Sequence, residues 1–298
     1  MYDVIVIGAG PAGLQAALTL GRMHRTVLLL DSGEYRNGTV AHTHNVVTHD
    51  GTPPAEFRAA ARAQLAAYPG VELRETPATD VSGAVGEFAV SLADGSAATA
   101  RRVILATGVA DELPDVPGLA QLWGRRAFAC PFCDGHEHAG RPIALLGTAR
   151  AAHLVALLGG IAESITVFPI GQPATEDEHR ALEAAGARVH PGPAIAVREE
   201  GDGVRVDTAE GGTVVAGVFI AAGGMRQRAR FAERLGLRTL SSGAIEIDEF
   251  GRTSLPGVSA AGDLAHRATL PGPVASVVMA AAAGQMAAAG IVQELTAH

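Results

Sequence analysis

The sequence predicts an α/β protein of two strand–helix–strand units, one of them assembled from both ends of the chain. Three observations predict it. An apolar strand at Tyr2–Ile7 runs directly into Gly8-Ala9-Gly10-Pro11-Ala12-Gly13 and then into a helical pattern through Leu14, Ala17, Leu18 and Gly21. A second alternation of apolar strands and helices fills residues 143–221. From Ala244 the chain returns to strand, to Ala261-Gly262-Asp263 and to a long alanine-rich helix expected from about Val274.

In the first unit a second strand over 26–30 ends at Asp31. Strand, glycine turn, helix, strand and acid therefore occur in the order of a dinucleotide-binding βαβ unit. Gly8 permits the tight turn, Gly10 lets the backbone approach a pyrophosphate, and Gly13 lets the helix pack close to the strand. The helix N-terminus offers unpaired N–H groups to phosphate, and Asp31 is placed to accept from a ribose hydroxyl pair. The plain alternative is a structural glycine turn, and this stretch alone does not say which dinucleotide binds.

A helix follows over 54–68, then strands over 71–74, 88–92 and 97–100 with Asp94-Gly95 at a hairpin turn. The strand over 102–105 ends in Ala106-Thr107-Gly108. Pro114, Pro117 and Gly118 mark a crossing. The second unit reads as strands over 143–146, 164–168, 194–197, 204–207 and 217–221, with helices over 150–158 and 176–185. The expected domains are 1–114, 115–243 and 244–298, the first and last forming one unit.

Composition narrows the function. Hydrophobic residues make up 48% of the 298-residue chain and aromatics only 4%, so the core must be packed by Ala, Val, Leu and Ile. The formal charge of -8, with no dense basic cluster, argues against nucleic acid as a partner. The first strand leaves no room for a signal peptide, and Gly284 and Gln285 interrupt the apolar C-terminal run. A soluble, cytoplasmic protein without a membrane segment is expected.

The two cysteines, Cys130 and Cys133, are three positions apart, a spacing unsuited to a secreted disulfide framework. Two sulfurs so placed can meet across one turn, with Pro131 restricting the backbone between them. A helix starting there would raise the thiolate fraction of a cysteine at its N-terminus. Asp134 or His136 is placed to take and return a proton. Zinc is the competing reading, since His136 and His138 complete four possible ligands. The short spacing on the histidine side makes a compact tetrahedron awkward, and no metal is expected. Inert buried cysteines are the third reading.

Taken together, Gly8 to Gly13, Ala106-Thr107-Gly108, Cys130-Pro131-Phe132-Cys133-Asp134-Gly135 and Ala261-Gly262-Asp263 resemble the low-molecular-weight thioredoxin reductase family of flavoproteins over nearly the whole chain. The resemblance implies two Rossmann-like (three-layer ββα) domains, a discontinuous FAD domain with an inserted pyridine-nucleotide-like domain, and a homodimer. It implies that FAD is held by Gly8, Gly10, Pro11, Ala12 and Gly13, by Asp31, Ser32, Arg36 and Asn37, and by His44 and Asn45. Ala106, Thr107, Gly108, Gly262, Asp263, Pro273 and Val274 complete that set. It assigns Cys133 to the flavin, Cys130 to the substrate, and the proton to Asp134, with His136 as an additional candidate.

The departures from the family are informative. The second glycine fingerprint reads Gly147-Thr148-Ala149-Arg150, and the methyl group of Ala149 crowds the path of a pyrophosphate. No arginine follows Phe168 until Arg180, while Glu176, Asp177 and Glu178 would repel a 2′-phosphate. Arg36-Asn37 with His42, His44 and Asp50-Gly51 resembles instead a branch of dithiol oxidases from natural-product biosynthesis, which use molecular oxygen and release hydrogen peroxide. The expected substrate is a small-molecule dithiol or disulfide. An NADPH-dependent disulfide reductase and a non-catalytic flavin-binding redox sensor remain as alternatives. His42, His49 and His266 are left between a site role and a surface role. His24, His153, His179, His190 and His298 carry no pattern.

Overall fold

The computed structural model describes residues 1–228 and 231–296, so His298 and the last residues of the expected third segment lie outside the described residues. In chain order the elements are β1 (Tyr2–Ile7), α1 (Pro11–Arg22), β2 (Val27–Leu30), α2 (Pro54–Leu65), β3 (Val71–Arg74), β4 (Ala78–Ala84), β5 (Glu87–Leu92) and β6 (Ala97–Leu105). There follow β7 (Val109–Glu112), α3 (Leu119–Leu122), β8 (Ala127–Phe128), α4 (Pro131–Asp134), a 3-10 turn (His136–His138), β9 (Pro142–Leu146), α5 (Ala151–Leu158), β10 (Ser164–Phe168) and α6 (Glu176–Ala184). The chain continues through β11 (Arg188–Val189), β12 (Ala196–Glu200), β13 (Gly203–Thr208), β14 (Gly211–Val215), β15 (Gly217–Ile220), β16 (Gly224–Gln227) and α7 (Phe231–Arg234). It ends with β17 (Ile245–Glu246), β18 (Val258–Ala260), β19 (Ala265–His266) and α8 (Val277–Thr296).

The chain divides into two compact units, 1–38 with 55–110 and 226–298, and 39–54 with 111–225. In the first unit β3, β2, β1, β6 and β18 form a parallel sheet, and the nine-residue β6 carries it into the antiparallel strands β5 and β4. Strand side chains alternate between faces, and β1 uses both. Val4 and Val6 pack with Leu20, Ala16, Ala287 and Ile291 of α1 and α8, whereas Ile5 and Ile7 pack with Phe88, Val90, Val103 and Leu105. Helices on one face and a second sheet layer on the other give the three-layer ββα arrangement that the sequence predicts. The helical face is alanine-rich because α8 lies directly on α1: a Cβ at Gly284 would overlap the carbonyl of Ala12.

The second unit repeats the scheme with five parallel strands, β11-β10-β9-β15-β8. Ile143 and Leu145 face α5, where Leu154, Val155 and Leu158 are buried, and Ala144 and Leu146 face Val197, Val204, Val206 and Val215 of the β12-β13-β14 sheet.

Several expectations are corrected. Residues 39–54 belong to the second unit, and the chain rejoins the first at Arg226 instead of Ala244. The reason is local: Thr39 lies against Gly124, where a Cβ would collide with it. The C-terminal helix starts at Val277 instead of Val274, since the Ser276 hydroxyl accepts from the Met279 N–H at 3.1 Å and ends the preceding loop. Pro273 is therefore outside the helix. Although Gly284 and Gln285 were expected to interrupt the apolar run, the helix, 20 residues at mean hydropathy 1.2, is long and apolar enough by length and composition to cross a membrane. Its Ala287, Ala288 and Ile291 are buried against α1, as in a core helix. The paired strands β7 and β16 were not foreseen.

Phe88 is completely buried where the sheet layers of the first unit meet. Phe88→Ala is expected to lower stability by about 3–5 kcal/mol, read as a lower urea midpoint with an unchanged slope.

Candidate functional site

The expected site residues gather in two constellations, one in each unit. In the first unit the chain turns after β1 at Gly8, whose φ of +109° excludes ordinary side chains and where a Cβ would run into the carbonyl of Ala106. At Gly13 a Cβ would overlap the Gly8 carbonyl, so α1 can start only with glycine there. Gly10, in contrast, has ordinary extended backbone and nothing within 4 Å of the position of a Cβ. No side chain caps α1, and Pro11 stands in its first turn. The unfilled space over Gly10 thus faces uncapped N–H groups of a 12-residue helix, an arrangement that suits phosphate.

Segments distant in sequence complete this cradle. A Cβ at Gly262 would stand 3.1 Å from the Ala12 methyl group, which brings Ala261-Gly262-Asp263 to the start of α1. Asp263 accepts from Arg36 at 3.0 Å. Thr107 Oγ1, next to Ala106 and Gly108, is buried with no hydrogen-bond partner among the described residues. A buried hydroxyl left unpaired is costly, and a polar ligand in the cradle would satisfy it. The residues present therefore fit a dinucleotide such as FAD.

Asp31, expected to accept from a ribose hydroxyl pair, already has partners within the protein. Its carboxylate is buried and already accepts from Arg62 and Tyr35 side chains and from the Gly33 N–H at 3.0 Å. Arg58 stacks over the Tyr35 ring at 3.8 Å and donates to Asn37 Oδ1 at 3.4 Å. A ribose would have to share this network. Ser32 accepts from the Glu34 N–H at 3.3 Å. Arg58 and Arg62 lie one turn apart on α2, a spacing visible in the sequence, but nothing there says that this face meets Asp31. Val274 is 56% exposed in the loop before α8.

In the second unit Cys130 and Cys133 are joined as a disulfide with Cα atoms 5.3 Å apart. Cys130 is the N-cap residue of α4. This helix is a single turn ending at Asp134, so the dipole effect expected of a longer helix is small here. Burial pushes Asp134 up to about 7, the Glu137 charge adds to the effect, and His44 opposes it. A carboxyl group with that proton affinity gains and loses a proton near neutrality.

His44 and Asn45, assigned to FAD by the resemblance, lie in the second unit. His44 Nε2 is 3.6 Å from Glu137 Oε1 and its Nδ1 is 3.8 Å from Asp50 Oδ1. The Asn45 N–H donates to Asp50 Oδ1 at 2.7 Å and fixes the loop. Glu137 went unnoticed in the sequence, although its place three residues after Asp134 is the signal that could have found it. His136 is exposed. His138 is buried between Phe128 and Phe219, with Nδ1–H donating to the Asp134 carbonyl at 2.9 Å. Burial holds its pKa below the usual histidine value. The four candidate zinc ligands thus do not converge, and among the described residues no group of three His, Cys, Asp or Glu side chains is arranged to hold a metal. His266 is buried in the first unit with Nε2 2.7 Å from the Ser242 hydroxyl.

The second glycine turn is also occupied by protein. Thr148 Oγ1 donates to Glu178 Oε1 at 2.6 Å, and Glu178 closes a capping box with Thr175. A carboxylate thus stands beside Thr148, in the turn where a phosphate would be expected.

The model of the pyridine nucleotide-disulphide oxidoreductase family matches residues 2–288. A protein of Leptosphaeria maculans called thioredoxin reductase sirT is 35% identical over 98% of this chain and 93% of its own length. A probable thioredoxin reductase of Arthroderma benhamiae is 43% identical, over 50% of this chain and 38% of that one. The crystal structure of an oxidoreductase from Agrobacterium tumefaciens is similar at TM-score 0.90 and 35% identity, covering 99% of this chain and 98% of that one.

Two outcomes follow from the site geometry. Gly10→Ala is expected to leave the melting temperature of cofactor-free protein unchanged and to weaken FAD retention by about tenfold or more, measured by flavin fluorescence after ultrafiltration. Asp134 has a folded pKa above its unfolded value, so its contribution to stability is present at low pH and lost as pH rises through about 7. Asp134→Asn is expected to raise the melting temperature most at about pH 8, with the gain shrinking towards about pH 4.

Proposed function

The chain belongs to the pyridine nucleotide-disulphide oxidoreductase family and is an oxidoreductase, and we propose that it is an FAD-dependent enzyme that oxidises a small-molecule dithiol to a disulfide, with molecular oxygen as acceptor and hydrogen peroxide as product. The observation that carries this reading is the Cys130–Cys133 disulfide one turn from a carboxyl group poised near pH 7.

Asp134 takes the proton of a substrate thiol, whose sulfur attacks Cys130 and opens the enzyme disulfide by exchange. The second substrate thiol then attacks the mixed disulfide and leaves Cys130 and Cys133 reduced. Gly10, the α1 amides and Thr107 would hold the pyrophosphate side of FAD, with Gly262 and the Arg36–Asp263 pair bordering the same cradle. FAD, when bound, would supply two-electron acceptor chemistry for the Cys130–Cys133 dithiol, with molecular oxygen as the terminal acceptor.

Oxygen is favoured over a nicotinamide as redox partner by the second glycine turn, where Ala149 replaces a glycine and the Glu178 carboxylate is bonded to Thr148. The proposal extends to a cytoplasmic homodimer, supported by Val278, Met279 and Met286 exposed on α8. The substrate fits the dithiols of natural-product biosynthesis. A second reading, an NADPH-dependent disulfide reductase, has in its favour the thioredoxin reductase names of the relatives.

Anaerobic dithiothreitol is expected to bleach the flavin absorbance of FAD-loaded protein, and air to restore it with release of peroxide. NADPH is expected to bleach it at least about tenfold more slowly, and Cys133→Ser to abolish the dithiol response. Fast bleaching by NADPH would select the reductase instead.

A further inference from the structure

The exchange reaction leaves a proton to be accounted for. Substrate dithiol brings two protons. The first thiol loses one to Asp134, and its thiolate forms a bond to Cys130 Sγ while the Cys130–Cys133 bond breaks with the electron pair on Cys133. The second thiol must then also be deprotonated before its sulfur attacks the first substrate sulfur and displaces Cys130. The substrate is oxidised by two electrons and the enzyme disulfide reduced by two. Cys130 leaves with one proton, Cys133 is a thiolate, and one proton goes to water. A single base can serve both steps only if it is emptied between them.

The loop 39–54 supplies a route. His44 lies between Glu137 at 3.6 Å and Asp50 at 3.8 Å, and side-chain exposure is 39% at Glu137, 25% at His44 and 69% at Asp50, so the outer end of the cluster is the one open to water. The ends of this cluster differ as a relay requires: Asp134 is half-buried, Asp50 in water. We propose that Glu137 and His44 are positioning residues for the exchange, holding Asp134 in a protonatable state and discharging its proton to Asp50 and solvent between the two thiol steps. The proposal rests on the dithiol chemistry above.

The charges around the pair are few. Glu137 and His44 both act on Asp134, with opposite signs. His138 on the following turn is held neutral by burial, with Arg141 and Arg126 acting on it in the same direction. From the loop come Asp50 and His42, whose ring centroid is 6.2 Å from that of His44. Where α5 meets the turn, with Leu158 against Gly135, the N-cap residue Arg150 is directed to the Ile220 carbonyl and His153 on the helix is exposed.

The test is the rate at which dithiothreitol reduces the Cys130–Cys133 disulfide, followed by acid quench and thiol alkylation from about pH 5.5 to about pH 9. This half-reaction needs neither flavin turnover nor oxygen. The native profile should bend near 7, and Asp134→Asn should remove the bend. Glu137→Gln takes away a charge that favours the protonated acid and should move the bend down by about half a pH unit or more. His44→Asn takes away the opposing charge, so the bend should move up and the plateau rate fall by about threefold or more. Glu137→Asp should restore most of the native profile, which a packing role would not explain. Profiles of Glu137→Gln and His44→Asn that overlie the native one would overturn the proposal. Normal shifts combined with reduction by NADPH and no oxygen uptake would overturn the oxidase reading and leave this one standing.

Discussion

Close approach of backbone to backbone at the start of α1 is the constraint on which the first unit depends. Gly8 rests on the Ala106 carbonyl, Gly13 on the Gly8 carbonyl, Gly284 on the Ala12 carbonyl, and Gly262 beside the Ala12 methyl. Segments from the beginning, middle and end of the chain meet there because no side chains separate them. The same absence leaves room over Gly10. Packing and ligand recognition are thus two results of one choice of residues, and that is why a glycine pattern carries so much meaning in this kind of fold.

The second unit solves a different problem. On the proposed function, it keeps a carboxyl group next to a sulfur–sulfur bond in a state that can both hold and release a proton. Burial alone moves Asp134 in that direction, and the neighbouring Glu137 and His44 pull it in opposite ways. Neutral His138, packed between Phe128 and Phe219, fixes the backbone of Asp134 without adding a charge. Polar and apolar parts of the turn therefore divide the work between tuning and rigidity.

The cradle was legible in the sequence because its information lies in backbone permission, and backbone permission is written in residue type and spacing. The α/β layers were legible for the related reason that β1 and β9 are apolar on both faces and must be covered twice. The partners of Asp31 were not legible, since Tyr35, Arg58 and Arg62 reach it through side-chain directions that spacing does not encode. Nor was the placement of His44 with Glu137, two residues far apart in the chain and joined only by the folding of an irregular loop. The start of α8 falls later than Val274 because the Ser276 hydroxyl is the group that caps, a role that a serine in a loop does not announce in sequence.

The loop 39–54 has a consequence for inheritance. It leaves the first unit's stretch of chain, contributes His44 and Asp50 to the sulfur-bearing unit, and returns before α2. No contiguous stretch of gene encodes that unit in full. A recombination that exchanged only 111–225 between relatives would import a cysteine pair and leave behind the histidine that acts on the neighbouring Asp134. The loop and the cysteine turn are therefore expected to change together across lineages, as one inherited trait written in two separate stretches of sequence.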